Sequence, residues 1–416
     1  MSVSLRIFAA LLLGLATGAA LTAGASEAVI AAATAIFDPV GTLWLSGLQM
    51  TVIPLVIGLL FTGIADAAGS AGASRLAGRA LLLFTVLLLG TASFSVVFTP
   101  WLLEVWPASA TAAAAIIGQS AVPAAAALDA GAWLKSFVPT NPFAALASGN
   151  TLQIVVFTAA AALATTRLPA TQRDTLVGIF DSITRAMIVL VQFIFWFGPV
   201  GVFALAALVG LRAGLDAIGV LAHYVLVVSF VQMIVIAGLY VLVAAARADV
   251  LRFARGVIPA QVVAVSTQSS IASLPAMLEA ANGPLAIPER VSRLVLPLAV
   301  SVFRITSPVA NLAVACYVAH LNGIDLSAQA MATGVAVAFA VSIATIGLPG
   351  QVSFIASVAP ICIAMGIPIA ALSLLIAVEM LPDLFRTLGN VTADIAAATV
   401  LGKDVGAHES LDKQPG

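Results

Sequence analysis

Hydrophobic runs of membrane-crossing length follow one another along nearly the whole chain. They cover Leu5–Ala25, Val40–Ala65, Ala80–Leu103, a broken region Thr111–Leu163, Leu176–Leu208, Ile218–Ala246, Leu294–Ala319 and Ile367–Leu401. A helix needs about twenty apolar residues to cross a hydrocarbon core of about 30 Å. Inside lipid the backbone has to satisfy its own hydrogen bonds, which leaves helices and closed barrels. Barrel strands would read as short alternating segments, and these runs do not alternate. Only 8% of the 416 residues are charged, against about one quarter in soluble domains, and mean hydropathy is +1.15. The expected fold class is an all-α polytopic membrane protein with the lipid bilayer as its surroundings.

Other classes find little support. A net charge of −1 offers no basis for binding nucleic acid. Cys316 and Cys362 lie in apolar runs, with neither the number nor the spacing of a disulfide framework or zinc site. His223 and His320 sit near segment ends and His408 in the tail, so no histidine metal cluster is expected, and no cofactor. Met1–Ala25 carries Arg6, an apolar stretch and small residues near Ala23–Ser26, in the manner of a signal peptide. The run is long enough to span, and it reads as the first helix.

Arginine placement sets an expected orientation. Arg75 and Arg79, Arg167 and Arg173, Arg247, Arg252 and Arg255, then Arg290 and Arg293 occupy alternate connections. The opposite connections carry Lys135 and Arg212 with Glu104, Asp129, Asp216 and Asp325. By the positive-inside rule the arginine-rich side is cytoplasmic. Both termini then lie in the cytoplasm of a multi-pass plasma-membrane protein, and the polar tail Gly402–Gly416 is expected to be disordered.

Two further apolar stretches, Val257–Ile287 and Met331–Met365, are interrupted at Ser266–Pro275 and Ser342–Gly350. Proline removes a donor and clashes with the preceding turn. Non-helical backbone at membrane depth persists only where protein or a wet cavity satisfies it. A pair of broken segments points to a transporter binding site, here read as two re-entrant hairpins.

The last run holds an acid–base ladder: Glu379, Asp383, Arg386, Asn390 and Asp394. On one helix all five fall within a stripe roughly 80° wide. Charges at bilayer depth normally face a protein interior or a wet site and mark a substrate or ion path. A guanidinium one turn from a carboxylate, with an amide one turn further on, suits a small zwitterion carrying an extra acid group. The plainer reading is an Asp383–Arg386 ion pair that serves only helix packing, which leaves Glu379 and Asp394 without partners.

Several motifs, in order along the chain, carry a resemblance. They are Gly47-Leu-Gln-Met-Thr-Val-Ile-Pro-Leu-Val-Ile57, Asn141-Pro-Phe-Ala-Ala-Leu-Ala147 with Leu152-Gln153, and Gly198-Pro-Val-Gly-Val-Phe-Ala204. Ser269-Ser-Ile-Ala-Ser-Leu-Pro275 and Ser342-Ile-Ala-Thr-Ile-Gly-Leu-Pro-Gly350 follow, then Asp383-x-x-Arg386-Thr387-x-x-Asn390-x-x-x-Asp394. The chain resembles the dicarboxylate/amino acid:cation symporter family, which has the glutamate-transporter fold. That resemblance implies about eight transmembrane helices plus two re-entrant helical hairpins, and a homotrimer built through scaffold helices. It implies scaffold helices 1–2 over residues 1–75 and a third helix, in the transport domain, over 76–110. Residues 111–246 would hold a broken fourth helix and the fifth helix (scaffold) with the sixth (transport domain). Residues 247–401 would hold hairpin 1, helix 7, hairpin 2 and helix 8, all in the transport domain, and 402–416 the cytoplasmic tail.

The resemblance also implies residue roles. Arg386 would bind a side-chain carboxylate, Asp383 an ammonium, and Thr387 and Asn390 the remaining polar atoms. Ser269 and Ser270 at the first tip, with Ile271 where the family has a third serine, would meet the α-carboxylate. Ser307 and, at the second tip, Leu348 and Pro349 between Gly347 and Gly350 would complete the substrate-binding set. Guanidinium pairs bidentately with carboxylate, and a buried site rejects ligands that leave its own groups unpaired.

The chain departs from the family at the seventh span. An Asn-Met-Asp-Gly-Thr stretch that holds sodium is replaced by Phe303-Arg304-Ile305-Thr306-Ser307, followed by Pro308. Sodium is a hard cation that requires oxygen donors, and Phe303 and Ile305 have none in their side chains. Exchanging Asp for Ile and Met for Arg makes the region more positive by two units, the charge of two sodium ions. Arg304 is therefore expected to substitute for a bound cation, leaving sodium coupling reduced or absent. A proton on Glu379 or Asp394 would then be the coupling ion, because burial favours a neutral carboxyl. Asn390 and Asp394 resemble the ligands of a second sodium site, so the coupling cation is left open between proton and sodium.

The expected function is secondary symport of acidic amino acids such as glutamate or aspartate by alternating access. A C4-dicarboxylate or cystine transporter of the same family, and a non-transporting sensor or anion-conducting relative, remain as alternatives. A membrane enzyme would need a nucleophile–base pair or a carboxylate-rich metal loop, and the sequence contains neither. His223 reads as a satisfied interfacial histidine, and Asp181 with Arg185 as a pair at the cytoplasmic end of a span.

Overall fold

A computed structural model describes residues 3–71, 75–108, 138–148, 150–213, 216–344 and 350–411. No strand occurs among them. The N-terminal helices are α1 (Val3–Gly24), α2 (Glu27–Ala71) and α3 (Arg75–Val105). The short helix α4 (Pro142–Ser148) is followed by α5 (Thr151–Thr165), α6 (Ala170–Trp196), α7 (Gly198–Ala213) and α8 (Asp216–Ala245). Next come α9 (Val250–Thr267), α10 (Leu274–Asn282), α11 (Glu289–Val302), α12 (Thr306–Leu321), α13 (Ala328–Ala344) and α14 (Gly350–Ala364). The chain closes with α15 (Leu372–Leu375) and α16 (Met380–Leu411).

By length and composition, six helical stretches among the described residues can cross a membrane: Arg6–Gly24, Glu27–Ala65, Leu76–Val105, Ala170–Trp196, Ile218–Ala245 and Glu289–Leu321. Burial ranks them. The most apolar window of α6 is 11% buried, whereas that of Glu289–Leu321 is 83% buried. Every residue from Thr306 to Ala319 in α12 is buried, as expected of a helix apolar all round.

α1 runs along α7, and α2 packs against α5, α6 and α7. Elsewhere α3 packs on α12, while α16 is held by α8, α9 and α11. The two groups meet where α2 touches α13 and α14. Glycines let α1 and α7 approach closely: a Cβ on Gly14, Gly18 or Gly210 would collide with the carbonyl of Phe203, Ala207 or Leu15, respectively. Without a hydrophobic drive between helices in lipid, such small-residue contacts carry much of the association.

Several expected segments are reshaped. The run Leu176–Leu208 is two helices, because Gly198-Pro199 breaks it after Trp196 and proline is tolerated in the first turn of α7. The break frees the Ile194 carbonyl, which accepts a hydrogen bond from Trp44 Nε1 at 3.1 Å. The span Leu294–Ala319 is interrupted at Phe303–Ile305, with Phe303 extended at φ −111° and ψ 91°. In Ile367–Leu401 the long helix begins only at Met380, after the single turn of α15. The tail expected to be disordered from Gly402 continues as helix to Leu411. In the region Thr111–Leu163, the described part holds α4 and α5 with a break between them, and Lys135 and Asp129 lie outside the described residues.

Val257–Ile287 folds as a helix–turn–helix hairpin. α9 stops at Gln268, which adopts the left-handed conformation (φ 52°, ψ 33°), and α10 packs back on α9. Met331–Met365 contributes α13 and α14, which also pack together. The second tip, including Gly347, Leu348 and Pro349, lies outside the described residues.

Candidate functional site

The ladder residues converge on the interior face of α16. Arg386 is 3% exposed and Glu379 2%. Arg386 Nη2 donates to Glu379 Oε1 at 2.6 Å, and Nη1 donates to Asp383 Oδ1 at 3.1 Å. Glu379 lies in the turn just before α16, and its carbonyl accepts the first helical bond from Asp383 N at 3.0 Å. Its second carboxylate oxygen, Oε2, accepts from the buried Tyr224 hydroxyl of α8 at 2.5 Å. The reading of Arg386 as paired with Asp383 alone therefore misses its shorter partner. Arg386 Nε is buried with no hydrogen-bond partner among the described residues.

One turn on, Asn390 repairs the broken backbone between α11 and α12. Its Oδ1 accepts from Thr306 N at 3.1 Å and lies 2.7 Å from Thr306 Oγ1, which also lies 2.6 Å from the Arg386 carbonyl. Asn390 Nδ2 and both carboxylate oxygens of Asp394 are buried without hydrogen-bond partners among the described residues. Arg304, in the break itself, acts electrostatically on Asp383, Arg386 and Asp394.

Other expected site residues have distinct surroundings. Thr387 is buried, and its hydroxyl donates to the Asp383 carbonyl at 3.1 Å. Ser307 is buried in the first turn of α12, where its N–H donates to the Arg304 carbonyl at 3.0 Å. At the first hairpin tip Ser269 Oγ accepts from Ala272 N at 3.2 Å and so shapes the turn. Ser270 is 7% exposed, and its hydroxyl has no partner among the described residues. Neither serine hydrogen-bonds to α16 among the described residues. Leu348 and Pro349 lie outside them.

Where the resemblance would place sodium-holding asparagine and aspartate side chains, this chain has the apolar residues Phe303 and Ile305. Phe303 and Ile305 are fully buried, and the Phe303 ring stacks on Phe84 of α3 with centroids 4.4 Å apart. That donor set does not fit a hard cation. Among the described residues no group of three or more His, Cys, Asp and Glu side chains could hold a metal.

Sequence reasoning missed Tyr224 and Asn311. Asn311 is 1% exposed, with both amide atoms unpartnered among the described residues. Asparagine inside the apolar run of α12 was a readable signal. Tyr224 was not, because only tertiary packing brings α8 against Glu379.

The geometry has counterparts in known proteins. A sequence profile of the sodium:dicarboxylate symporter family matches residues 3–404. The chain belongs to that family. It is 30% identical over 377 residues to the proton/glutamate-aspartate symporter of Escherichia coli (strain K12), covering 88% of this chain and 85% of that one. It is 26% identical over 377 residues to the proton/sodium-glutamate symport protein of Bacillus subtilis (strain 168), with the same coverage. It is 28% identical over 447 residues to the neutral amino acid transporter B(0) of Oryctolagus cuniculus, covering 98% of this chain and 81% of that one. Membership makes this chain a multi-pass transmembrane symporter with the glutamate-transporter fold.

Proposed function

We propose that this family member carries small acidic amino acids of the glutamate and aspartate type, with Arg386 as the anchor for the side-chain carboxylate. The observation that carries the reading is the buried Arg386 guanidinium, bound to Glu379 and Asp383 and retaining an unpartnered Nε–H. An intramembrane cation with a spare donor is costly unless an anion uses it. Asp383 then receives the substrate ammonium, Thr387 and Asn390 its remaining polar atoms, and the free Ser270 hydroxyl its α-carboxylate. The names of the Escherichia coli and Bacillus subtilis relatives support the substrate class.

Coupling in this reading does not use sodium at the α11–α12 break. The Phe303–Phe84 stack and Ile305 occupy that place, and Arg304 supplies fixed positive charge toward Asp394. A proton on Glu379 is the coupling ion. Protonation removes the resident anion that competes for Arg386, so an acidic substrate and a proton enter together.

The division into scaffold and transport halves, homotrimer assembly, two re-entrant hairpins and cytoplasmic termini complete the proposal. Resemblance and arginine placement support them. Counterflow of labelled glutamate and aspartate in proteoliposomes tests the substrate, and replacing sodium with choline at fixed pH tests the coupling. The expected result is exchange of acidic amino acids that persists in choline. Exchange of neutral amino acids or C4-dicarboxylates alone would overturn the substrate class, and collapse of uptake in choline would overturn the coupling.

A further inference from the structure

The first hairpin arm, α9, is apolar on two opposite faces. Phe253, Gly256, Val257, Ala260 and Ala264 form its buried face. On the other side Leu251, Arg255, Ile258, Val262 and Val265 recur at helical spacing within a stripe about 80° wide, and all five are exposed. Leu251, Ile258 and Val262 are each more than half exposed. A helix that is apolar all round belongs in a protein core or in lipid, and nothing among the described residues covers this stripe. In a transmembrane symporter, lipid is what meets it.

The stripe has a definite length and a charged end. From Arg255 to Val265 the helix rises about 15 Å, half of a hydrocarbon core of about 30 Å, and the chain turns back at Gln268. That is the depth of one leaflet, which puts Arg255 at the level of the phosphates. Arg252, one turn earlier on the adjoining face, is exposed as well. Its Nε donates to the Pro284 carbonyl of the α10–α11 connection, which holds the guanidinium at the hairpin base. The nearby carboxylate of Asp249 is engaged as the cap of α9, accepting from Leu251 N and Arg252 N, both at 3.0 Å. Arg255 has no carboxylate partner among the described residues. Arg252 lies in the first turn of α9, where the helix dipole also favours an anion.

We propose that the outer face of α9 binds one anionic phospholipid, with its phosphate held by Arg255 and Arg252 and an acyl chain laid along Ile258, Val262 and Val265. Guanidinium groups pair bidentately with phosphate oxygens, and an anionic leaflet attracts basic side chains at the ends of membrane segments. A free phosphate would use the arginines and leave the apolar stripe idle. A neutral lipid would use the stripe and leave Arg255 without an anion in excess of its phosphate. Only an anionic lipid uses both features in full. The inference rests on the reading of this hairpin as re-entrant and is independent of the solute carried.

The test uses the full chain. Native mass spectrometry of the detergent-solubilised protein measures bound phosphatidylglycerol and phosphatidylcholine for the wild type, Arg255→Gln, Val262→Asn and Arg167→Gln. Arg167, exposed in the α5–α6 connection, controls for net charge. The wild type should prefer phosphatidylglycerol about tenfold or more. Arg255→Gln should lower that affinity about fivefold and Val262→Asn by a similar factor, with Arg167→Gln within about twofold of wild type. Equal affinity for the two lipids would overturn the site, as would an equal loss in Arg167→Gln. Inorganic phosphate that competes as well as the lipid, and equally in Val262→Asn, would mark a plain anion site and overturn it too. A second readout places the stripe: Val262→Cys in phosphatidylcholine nanodiscs should be shielded from a membrane-impermeant maleimide. Labelling as fast as Ser26→Cys, in the exposed α1–α2 connection, would show water at the stripe, and the re-entrant reading would fall together with the lipid site. Shielding without a preference for phosphatidylglycerol would sink the lipid site alone.

Discussion

The Arg386 guanidinium and the Glu379 carboxylate, seven residues apart, form a 2.6 Å ion pair sealed from solvent. A buried pair is strongly destabilised by losing one partner, by about 3–5 kcal/mol, because the survivor is left uncompensated. The same arithmetic applies to binding. An acidic ligand has to displace or neutralise Glu379 before it commands the guanidinium in full. The site is thus charged and self-occupied at rest.

Arg386→Lys keeps a cation and removes the planar fork. Lysine is a point charge that does not reproduce a bidentate contact. Affinity for glutamate or aspartate should fall roughly 100-fold, the equivalent of about 3 kcal/mol. Ligand-dependent quenching or calorimetry on purified protein measures this, and affinity within a few-fold of wild type would remove Arg386 from the anchor role.

Glu379→Gln keeps an oxygen acceptor for Tyr224 while removing the charge that competes for Arg386. In wild-type protein acid should favour binding, because protonated Glu379 releases the guanidinium. In the variant, affinity should be high at acid and alkaline pH alike, and gradient-driven uptake should fall. Titrations of ligand at several pH values decide the matter: an unchanged pH slope would assign the proton elsewhere.

The Phe303–Phe84 stack should stabilise the break between α11 and α12. Phe303→Ala removes a fully buried ring, a change that typically costs about 3–5 kcal/mol. The variant should unfold at clearly lower temperature, and added sodium should not restore it. A sodium-dependent rise in its unfolding temperature would show that a cation site survives there.

Gly18 and Gly90 separate packing from composition. A Cβ at Gly18 meets the Ala207 carbonyl of α7, whereas at Gly90 of α3 nothing lies within 4 Å. Gly18→Val should destabilise the protein by at least the roughly 1–3 kcal/mol typical of overpacking. Gly90→Val should be nearly neutral. Thermal unfolding of the two variants side by side measures the contrast.

The helical membrane fold was legible because lipid enforces it: runs such as Ile218–Ala246 have no other way to satisfy their backbone. The Arg386 ladder was legible for a related reason, since charges in an apolar run stand out by their cost. Helix breaks were read less well. Gly198-Pro199 was an available signal for ending α6, yet apolarity continues across it. The interruption at Phe303–Ile305 depends on Asn390, eighty-four positions from Thr306, whose side chain takes over the backbone donor there.

Local order of residues was therefore enough to establish which segments are helical, which side chains are too polar for lipid, and which family the chain resembles. Partners across the fold were another matter. That Glu379 accepts from Tyr224, that Phe303 stacks on Phe84, and that His223 meets Tyr317 follow from helices distant in sequence meeting in one core. Periodicity specifies the face a residue occupies on its own helix, but the identity of what it touches depends on how separate helices pack.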